Sequence, residues 1–148
     1  AASDVYKRQD YNHKTKIIKS KEYIFDEIRK KWIVTTPEEI VRQNCWKFLH
    51  FEKNYPRGLI TIEKELKINQ IKKRFDIVIY DNTGAPNILI ECKSPAVKIN
   101  DETLQQILTY QREINAKLLI LTNGTDTYCI EIDRKRSIAS YLKEIPSN

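Results

Sequence analysis

The sequence predicts an α/β domain in which a mixed central β-sheet is flanked by helices. Three observations predict it. Segments beginning near Pro37 and near Asn100 carry helix-start chemistry followed by apolar residues at helical spacing. Five apolar, β-rich runs are set off by turn residues or charge. The second helical segment falls between the third and fourth runs. It is therefore a crossover, which makes those two strands parallel and the sheet mixed.

Composition narrows the class. The chain has 148 residues, enough for one domain with its own core. Its apolar content of 41% is that of a soluble globular protein. No apolar run approaches the ~20 residues of a membrane helix, and no signal-peptide pattern is present, so no membrane partner is expected. The net charge is +6 and the pI about 9.2, compatible with a nucleic-acid partner without demanding one. Cys45, Cys92 and Cys129 are far apart and flanked by apolar residues. They read as buried free thiols, which predicts a reducing, cytoplasmic setting. The absence of methionine suggests a fragment or a processed product. Ala1 to Gln9 has no periodicity, so residues 1–10 read as an adapter scar or a disordered segment. Residues 11–148 read as a single domain.

Taken in order, Tyr11 to Val34 predicts an irregular basic lead-in with a short strand at Trp32–Val34. Thr36-Pro37-Glu38-Glu39 is a strong helix start. Thr36 suits the N-cap, Pro37 the first helical position, and Glu39 the return position of a capping box. Ile40, Val41, Cys45, Phe48 and Leu49 then form one stripe, and the helix is expected to run to about Lys53. At roughly 100° per residue, Glu38 falls on the edge of that stripe and Glu39 away from it. Glu38 is thus expected to face inward, either as a functional carboxylate or paired with Arg42 one turn on.

Leu59 to Leu66 predicts a strand, with Glu63 and Glu65 either solvated or, for Glu63, bordering an acidic cluster. Lys67 to Arg74 reads as a basic connector whose Lys72, Lys73 and Arg74 lead into Asp76. Asn100-Asp101-Glu102 opens the second helix, acidic residues in its first turn suiting the helix dipole. Leu104, Ile107, Leu108 and Ile114 form its packing stripe. Gln106 and Tyr110 lie one turn apart on a flank, able to border a groove. Lys117–Thr122 and Thr127–Ile132 are strands about an Asn-Gly turn, and Ser137–Ile145 predicts a short C-terminal helix.

The centre of the chain carries the chemistry. Ile77–Tyr80 and Ile88–Ile90 read as adjacent strands joined by the turn-rich Asp81–Asn87. Asp76 stands at the start of the first, and Glu91 and Lys93 close the second on one face. Antiparallel pairing brings the three together. Two close carboxylates repel unless a cation joins them, and oxygen ligands of this kind suit Mg²⁺. A lysine beside such an ion can orient water or stabilise a phosphoryl oxygen. The pattern suggests metal-assisted phosphodiester hydrolysis, although ordinary turn and strand-end chemistry also fits these residues.

Asp76, Glu91-Cys92-Lys93 and a preceding helix with Glu38 resemble the PD-(D/E)XK nuclease superfamily. More closely, the chain resembles the N-terminal nuclease domain of type I restriction-enzyme restriction subunits, including short stand-alone bacterial forms. The resemblance runs from about Tyr23 to Pro146. It rests on TPEEIVRQ (Thr36–Gln43), YPRGLITIE (Tyr55–Glu63), KKRFDIVIYDNTGAP (Lys72–Pro86), ILIECKSP (Ile88–Pro95), QILTY (Gln106–Tyr110) and LTNG (Leu121–Gly124). Phe75 replaces the proline of the superfamily name, a common variation.

The resemblance implies a restriction-endonuclease-like fold and a Mg²⁺-dependent endonuclease acting on DNA, with Mn²⁺ able to substitute. It implies that Asp76, Glu91 and the Cys92 carbonyl hold the metal, that Lys93 positions the attacking water, and that Glu38 reaches toward the metal. It assigns Gln106 and Tyr110 to a family motif that follows the catalytic core. Lys72, Lys73 and Arg74 would offer phosphate contacts. The motor and specificity regions of a restriction subunit are absent from the sequence, which points to a missing partner, while stand-alone nucleases of this fold often form homodimers. A catalytically silent nucleic-acid-binding or partner-docking module of the same fold is the alternative, and RNA remains a possible substrate.

Overall fold

The computed structural model describes residues 10–148, without the side chains of Ile68, Tyr110, Gln111 and Arg112. The segment read as a scar therefore lies, but for Asp10, outside the described residues. The element order is β1 (Thr15–Ile18), β2 (Lys21–Asp26), β3 (Lys31–Val34), α1 (Pro37–Phe51), β4 (Ile60–Ile68), β5 (Ile71–Tyr80), β6 (Pro86–Cys92), α2 (Asp101–Ile114), β7 (Leu118–Thr122), β8 (Thr127–Asp133) and β9 (Ile138–Leu142). Strands β4 to β9 form one sheet in sequence order, and β1 to β3 form a second, smaller one. In the large sheet β6 pairs parallel with β7 across the α2 crossover, and the other pairs are antiparallel. This is the mixed sheet with a helix on each face that the sequence predicts.

Alternation explains why the central strands read as unbroken apolar runs. Ile77, Ile79, Ile88 and Ile90 pack toward Val41, Cys45, Trp46 and Leu49 of α1. Their neighbours Val78 and Leu89, with Leu119, pack toward Leu104 and Ile107 of α2. Both faces of the strands are covered, so polar residues have no place in the middle. The α1 start forms with the expected Thr36 cap, while the Glu39 side chain bonds Arg29 and Arg42 instead of closing the capping box. Glu39 N–H donates to Thr36 Oγ1 at 3.0 Å, and Pro37 occupies the first turn, where a missing N–H costs nothing. The three cysteines are free and buried. Among the described residues no helix is long and apolar enough to cross a membrane.

Three expectations are corrected. The lead-in is a three-stranded antiparallel sheet rather than irregular chain with one strand. Its surface strands are rich in lysine, and Lys19 and Ser20 turn the first hairpin at φ 50° and 65° without a glycine to announce it. The basic connector is the far half of a long hairpin. Strands β4 and β5 stay paired through Lys67 and Lys72, around Asn69 and Gln70 at φ 45° and 69°. This ribbon is mostly exposed, so it needs few apolar residues and shows little apolar periodicity. The expected C-terminal helix is the edge strand β9, paired with β8. Ile138, Tyr141, Leu142 and Ile145 fit a helical spacing, but the open edge of β8 gives this segment a ladder to join.

Candidate active site

Asp76, Glu91 and Lys93 meet where the sheet divides. The β5–β6 ladder runs inward from Tyr80 and Pro86 and ends at the pair Ile77–Ile90. Beyond it, β5 continues against β4 while β6 continues against β7. At the fork the Cys92 N–H has no main-chain acceptor on β5. It donates instead to Asp76 Oδ2 at 2.9 Å. The Lys93 N–H turns to the Thr122 carbonyl at 2.8 Å. Between the β4–β5 pairs Ile62–Ile77 and Lys64–Phe75, Glu63 lies in the left-handed region at φ 51°. A non-glycine residue there costs about 1–3 kcal/mol and marks a kink beside the site.

Glu91 is 7% exposed, and its Oε1 has no hydrogen-bond partner among the described residues. Lys73 Nζ stands 3.9 Å from that atom. Burial, then the charge of Asp76, pushes the Glu91 carboxyl up to about 8 against the opposing pull of Lys73 and Lys93. The two carboxyls are close enough for a protonated Glu91 to hydrogen-bond Asp76.

Asp76 is also held from the side of α1. Its Oδ1 accepts from Arg42 Nη2 at 2.6 Å and Nε at 3.2 Å. Arg42 Nη1 donates to Glu39 Oε1 at 2.9 Å. The same Glu39 oxygen accepts from Arg29 Nη2 at 2.7 Å, and Arg29 binds Asp26 and Glu63 as well. Gln43 ties Asp26 to α1 at 3.0 Å and accepts from Trp46 Nε1 at 2.9 Å. A continuous polar chain thus runs from the end of β2 to Asp76. Burial acts to lower the Arg42 pKa, and the bond to Asp76 with the charges of Asp76 and Glu39 outweighs it. Arg42 stays a cation.

The first helix reverses one expectation. Glu39, assigned to capping, is the buried carboxylate at 2% exposure. Glu38, expected to face inward, has a side chain 45% exposed. The reason is the partner set. Two arginines on the α1 side compensate a carboxylate at position 39, whereas Glu38 meets one guanidinium at 3.4 Å. That guanidinium is Arg42, as the i,i+4 spacing predicts, and its Nη2 is the nitrogen that also binds Asp76. Glu38 therefore borders the site from the solvent side.

The structure brings together Asp76, Glu91, Lys93, Lys73 and, through Arg42, Glu38. Lys72 and Arg74 are exposed on the β4–β5 ribbon, and Gln106 is exposed on α2. The Tyr110 side chain lies outside the described residues. Sequence reasoning missed Asp26, Arg29, Glu39 and Gln43. The available signal was that Glu39, Arg42 and Gln43 sit three and four residues apart on one helix face.

The donor set suits a hard divalent ion. A buried carboxylate oxygen has no hydrogen-bond partner among the described residues beside a second carboxylate, and Asp76 Oδ2 keeps a lone pair after accepting from Cys92, whereas Oδ1 accepts twice from Arg42. Among the described residues no group of three or more His, Cys, Asp or Glu side chains could hold a metal alone. Two carboxylates with a main-chain oxygen would leave positions for water or phosphate, the pattern Mg²⁺ favours.

Residues 37–146 match the family model for the type I restriction enzyme R protein N terminus (HSDR_N). The chain belongs to that family. The matched range includes the whole fork and leaves β1 to β3 outside it. Among solved structures, a candidate nuclease of the DUF820 group from Anabaena variabilis ATCC 29413 is similar, with a TM-score of 0.51 and 14% identity over 85% of this chain and 81% of that one. It shares the nuclease-like fold. A fragment of a candidate HsdR subunit of a type I restriction enzyme from Vibrio vulnificus YJ016 is 18% identical over 75% of this chain, with a TM-score of 0.49. This chain covers 23% of that fragment. No curated protein matches the sequence.

Proposed function

We propose that the protein is a Mg²⁺-dependent DNA endonuclease whose reaction centre is the fork at Asp76, Glu91 and Lys93. One observation carries the reading. A buried carboxylate oxygen, Glu91 Oε1, has no hydrogen-bond partner among the described residues, next to a second carboxylate at the point where the strands part. Burial and the neighbouring Asp76 oppose ionisation of Glu91, and a cation bound between the two carboxylates would relieve both. Membership of a restriction-enzyme family supports DNA as the substrate.

Asp76, Glu91 and the Cys92 carbonyl would hold the ion, which when bound supplies Lewis-acid activation of a phosphodiester. The Cys92 N–H and Arg42 fix both Asp76 oxygens, so this carboxylate is oriented before any ligand arrives. Lys93, half-buried two residues beyond Glu91, would orient the attacking water and stabilise charge on the phosphoryl oxygens. Glu38 faces the same opening from α1 and can accept a hydrogen bond from that water. Lys73 offers a cation to a phosphate, with Lys72 and Arg74 along the ribbon.

A second reading has one observation in its favour. Arg42 already neutralises Asp76 at 2.6 Å, as in a fold that has kept its carboxylates for structure. On that reading the chain is a silent nucleic-acid-binding or docking module.

The two are separated by incubating the protein with supercoiled, linear and single-stranded DNA in Mg²⁺, Mn²⁺ or EDTA, beside Glu91→Ala and Lys93→Ala. Metal-dependent cutting that disappears in both variants is the expected result. Cutting that survives both substitutions, or no cutting by the parent in either metal, removes the catalytic reading.

A further inference from the structure

The small sheet presents a face that the fork does not use. Its register sets Lys16 opposite Tyr23 and Phe25 opposite Trp32. The Phe25 N–H bonds the Lys14 carbonyl, which places Lys14 beside Phe25. Directly opposed residues share a face, and alternate residues along a strand share it too. Lys14, Lys16, Lys21, Tyr23, Phe25 and Trp32 therefore lie together. The intervening Ile24 and Asp26 are buried against the domain, so this face looks outward. Among the described strand residues no acidic side chain falls on it. Glu22 and Asp26 oppose Ile17 and Lys31 on the other face.

The contacts are those of cations interleaved with rings. Lys16 Nζ stands 4.1 Å from the centroid of the Trp32 ring, and Lys14 Nζ stands 5.3 Å from that of Phe25. Phe25 and Trp32 meet edge to face at 5.3 Å. All three rings are half-buried rather than packed away.

We propose that this face binds single-stranded DNA, with bases stacking on Trp32, Phe25 and Tyr23 and phosphates meeting Lys14, Lys16 and Lys21. Aromatic platforms threaded by lysines bind single strands because every base has a flat face to stack and every linkage a charge to neutralise. A duplex keeps its bases stacked on each other and offers these rings nothing. The strand that carries Phe25 ends in Asp26, the first member of the polar chain to Asp76. Platform and fork are thus held in a fixed relation. That the bound strand is a substrate rests on the nuclease reading; the binding itself does not.

The test is fluorescence anisotropy of the full chain in EDTA, with a labelled oligothymidylate of about 15 nucleotides and a duplex of equal length. The single strand is expected to bind more tightly. Trp32→Ala should weaken it ~10-fold and Trp32→Phe far less, since a ring remains. Lys16→Gln and Lys21→Gln should each lower the slope of log affinity against log salt by about 0.7. Equal affinity for duplex and single strand overturns the proposal. So does unchanged affinity in Trp32→Ala, or equal binding of polyglutamate, which carries charge without bases. Glu91→Ala should bind the single strand as the parent does. If it does and no form of the protein cuts, the nuclease reading falls and the platform stands. If cutting is intact and Trp32→Ala binds normally, the platform falls alone.

Discussion

Replacing Glu91 by glutamine keeps the side chain's shape and removes its titration. In the fold this carboxyl is raised from an ordinary value of 4.5 to about 8, by burial first and by Asp76 second. At pH 7 it is therefore protonated in the folded chain and ionised in the unfolded one. Taking up that proton costs about 1.4 kcal/mol for each pH unit above the unfolded value, or roughly 3 kcal/mol at pH 7. The folded pKa is the higher of the two. Stability from this group is thus fully present below pH 4.5 and is lost progressively as pH rises toward 8. Glutamine has no proton to take up.

In EDTA the parent should lose melting temperature from pH 5 to pH 8, and Glu91→Gln should show a flatter profile. At pH 7 the variant should melt higher by about 6–12 °C, at roughly 2–4 °C per kcal/mol for a chain of this size. Added Mg²⁺ should reverse the order. An ion that binds only the folded state adds about 4.1 kcal/mol to the parent at about a thousand times its dissociation constant, more than the variant's advantage of roughly 3 kcal/mol, and the variant has lost a ligand. Differential scanning fluorimetry across pH, with EDTA or Mg²⁺, reads both effects. A variant that melts no higher than the parent at pH 7, with a parallel pH profile, would refute the reasoning. Glu91 would then be ionised in the fold, with Lys73 a full partner for it.

Three further outcomes are expected. Arg42→Ala strips a cation from buried Glu39 and from Asp76, and should cost about 3–5 kcal/mol in urea denaturation at neutral pH, the range for breaking a buried pair; a loss under 1 kcal/mol would make the pair a surface ornament. Thr36→Ala removes the α1 cap and should cost about 1 kcal/mol, with Thr36→Ser restoring most of it. Cys45, Cys92 and Cys129 are all buried, so a thiol reagent should label none of them rapidly in the native protein and all of them in guanidinium. Rapid native labelling of Cys92 would mean that the fork opens.

What could be read from the sequence follows from where burial acts. The central strands are covered on both sides, so their composition alone declares them, and the crossover fixes β6 beside β7. The α1 start was legible because Thr36 and Pro37 act locally. The surface elements were not. Strand β1, the outer part of the β4–β5 ribbon and β9 bury little, so lysines and turns without glycine, such as Lys19-Ser20 and Asn69-Gln70, hide them. The fork residues Asp76, Glu91 and Lys93 were legible because charge interrupts an apolar pattern there. Glu38 and Glu39 were exchanged because helix geometry supplies angles and not partners. The buried position was decided by Arg29, ten residues away in the turn between β2 and β3.

The location of the carboxylates follows from the sheet itself. A strand that leaves its neighbour strands main-chain groups, and a buried N–H must find an acceptor. At the parting of β5 and β6 the acceptor for Cys92 is the side chain of Asp76. That requirement alone would be met by asparagine or serine. An aspartate adds a charge, and the charge draws Arg42 from α1 and with it Glu39, Arg29 and the end of β2. Glu91 gains nothing from this arrangement. It sits next to Asp76 with an oxygen that has no hydrogen-bond partner among the described residues and with a raised pKa, and no ladder or cap needs it. The structural demands of the fork explain one carboxylate, and the second is the one on which the proposed metal site rests.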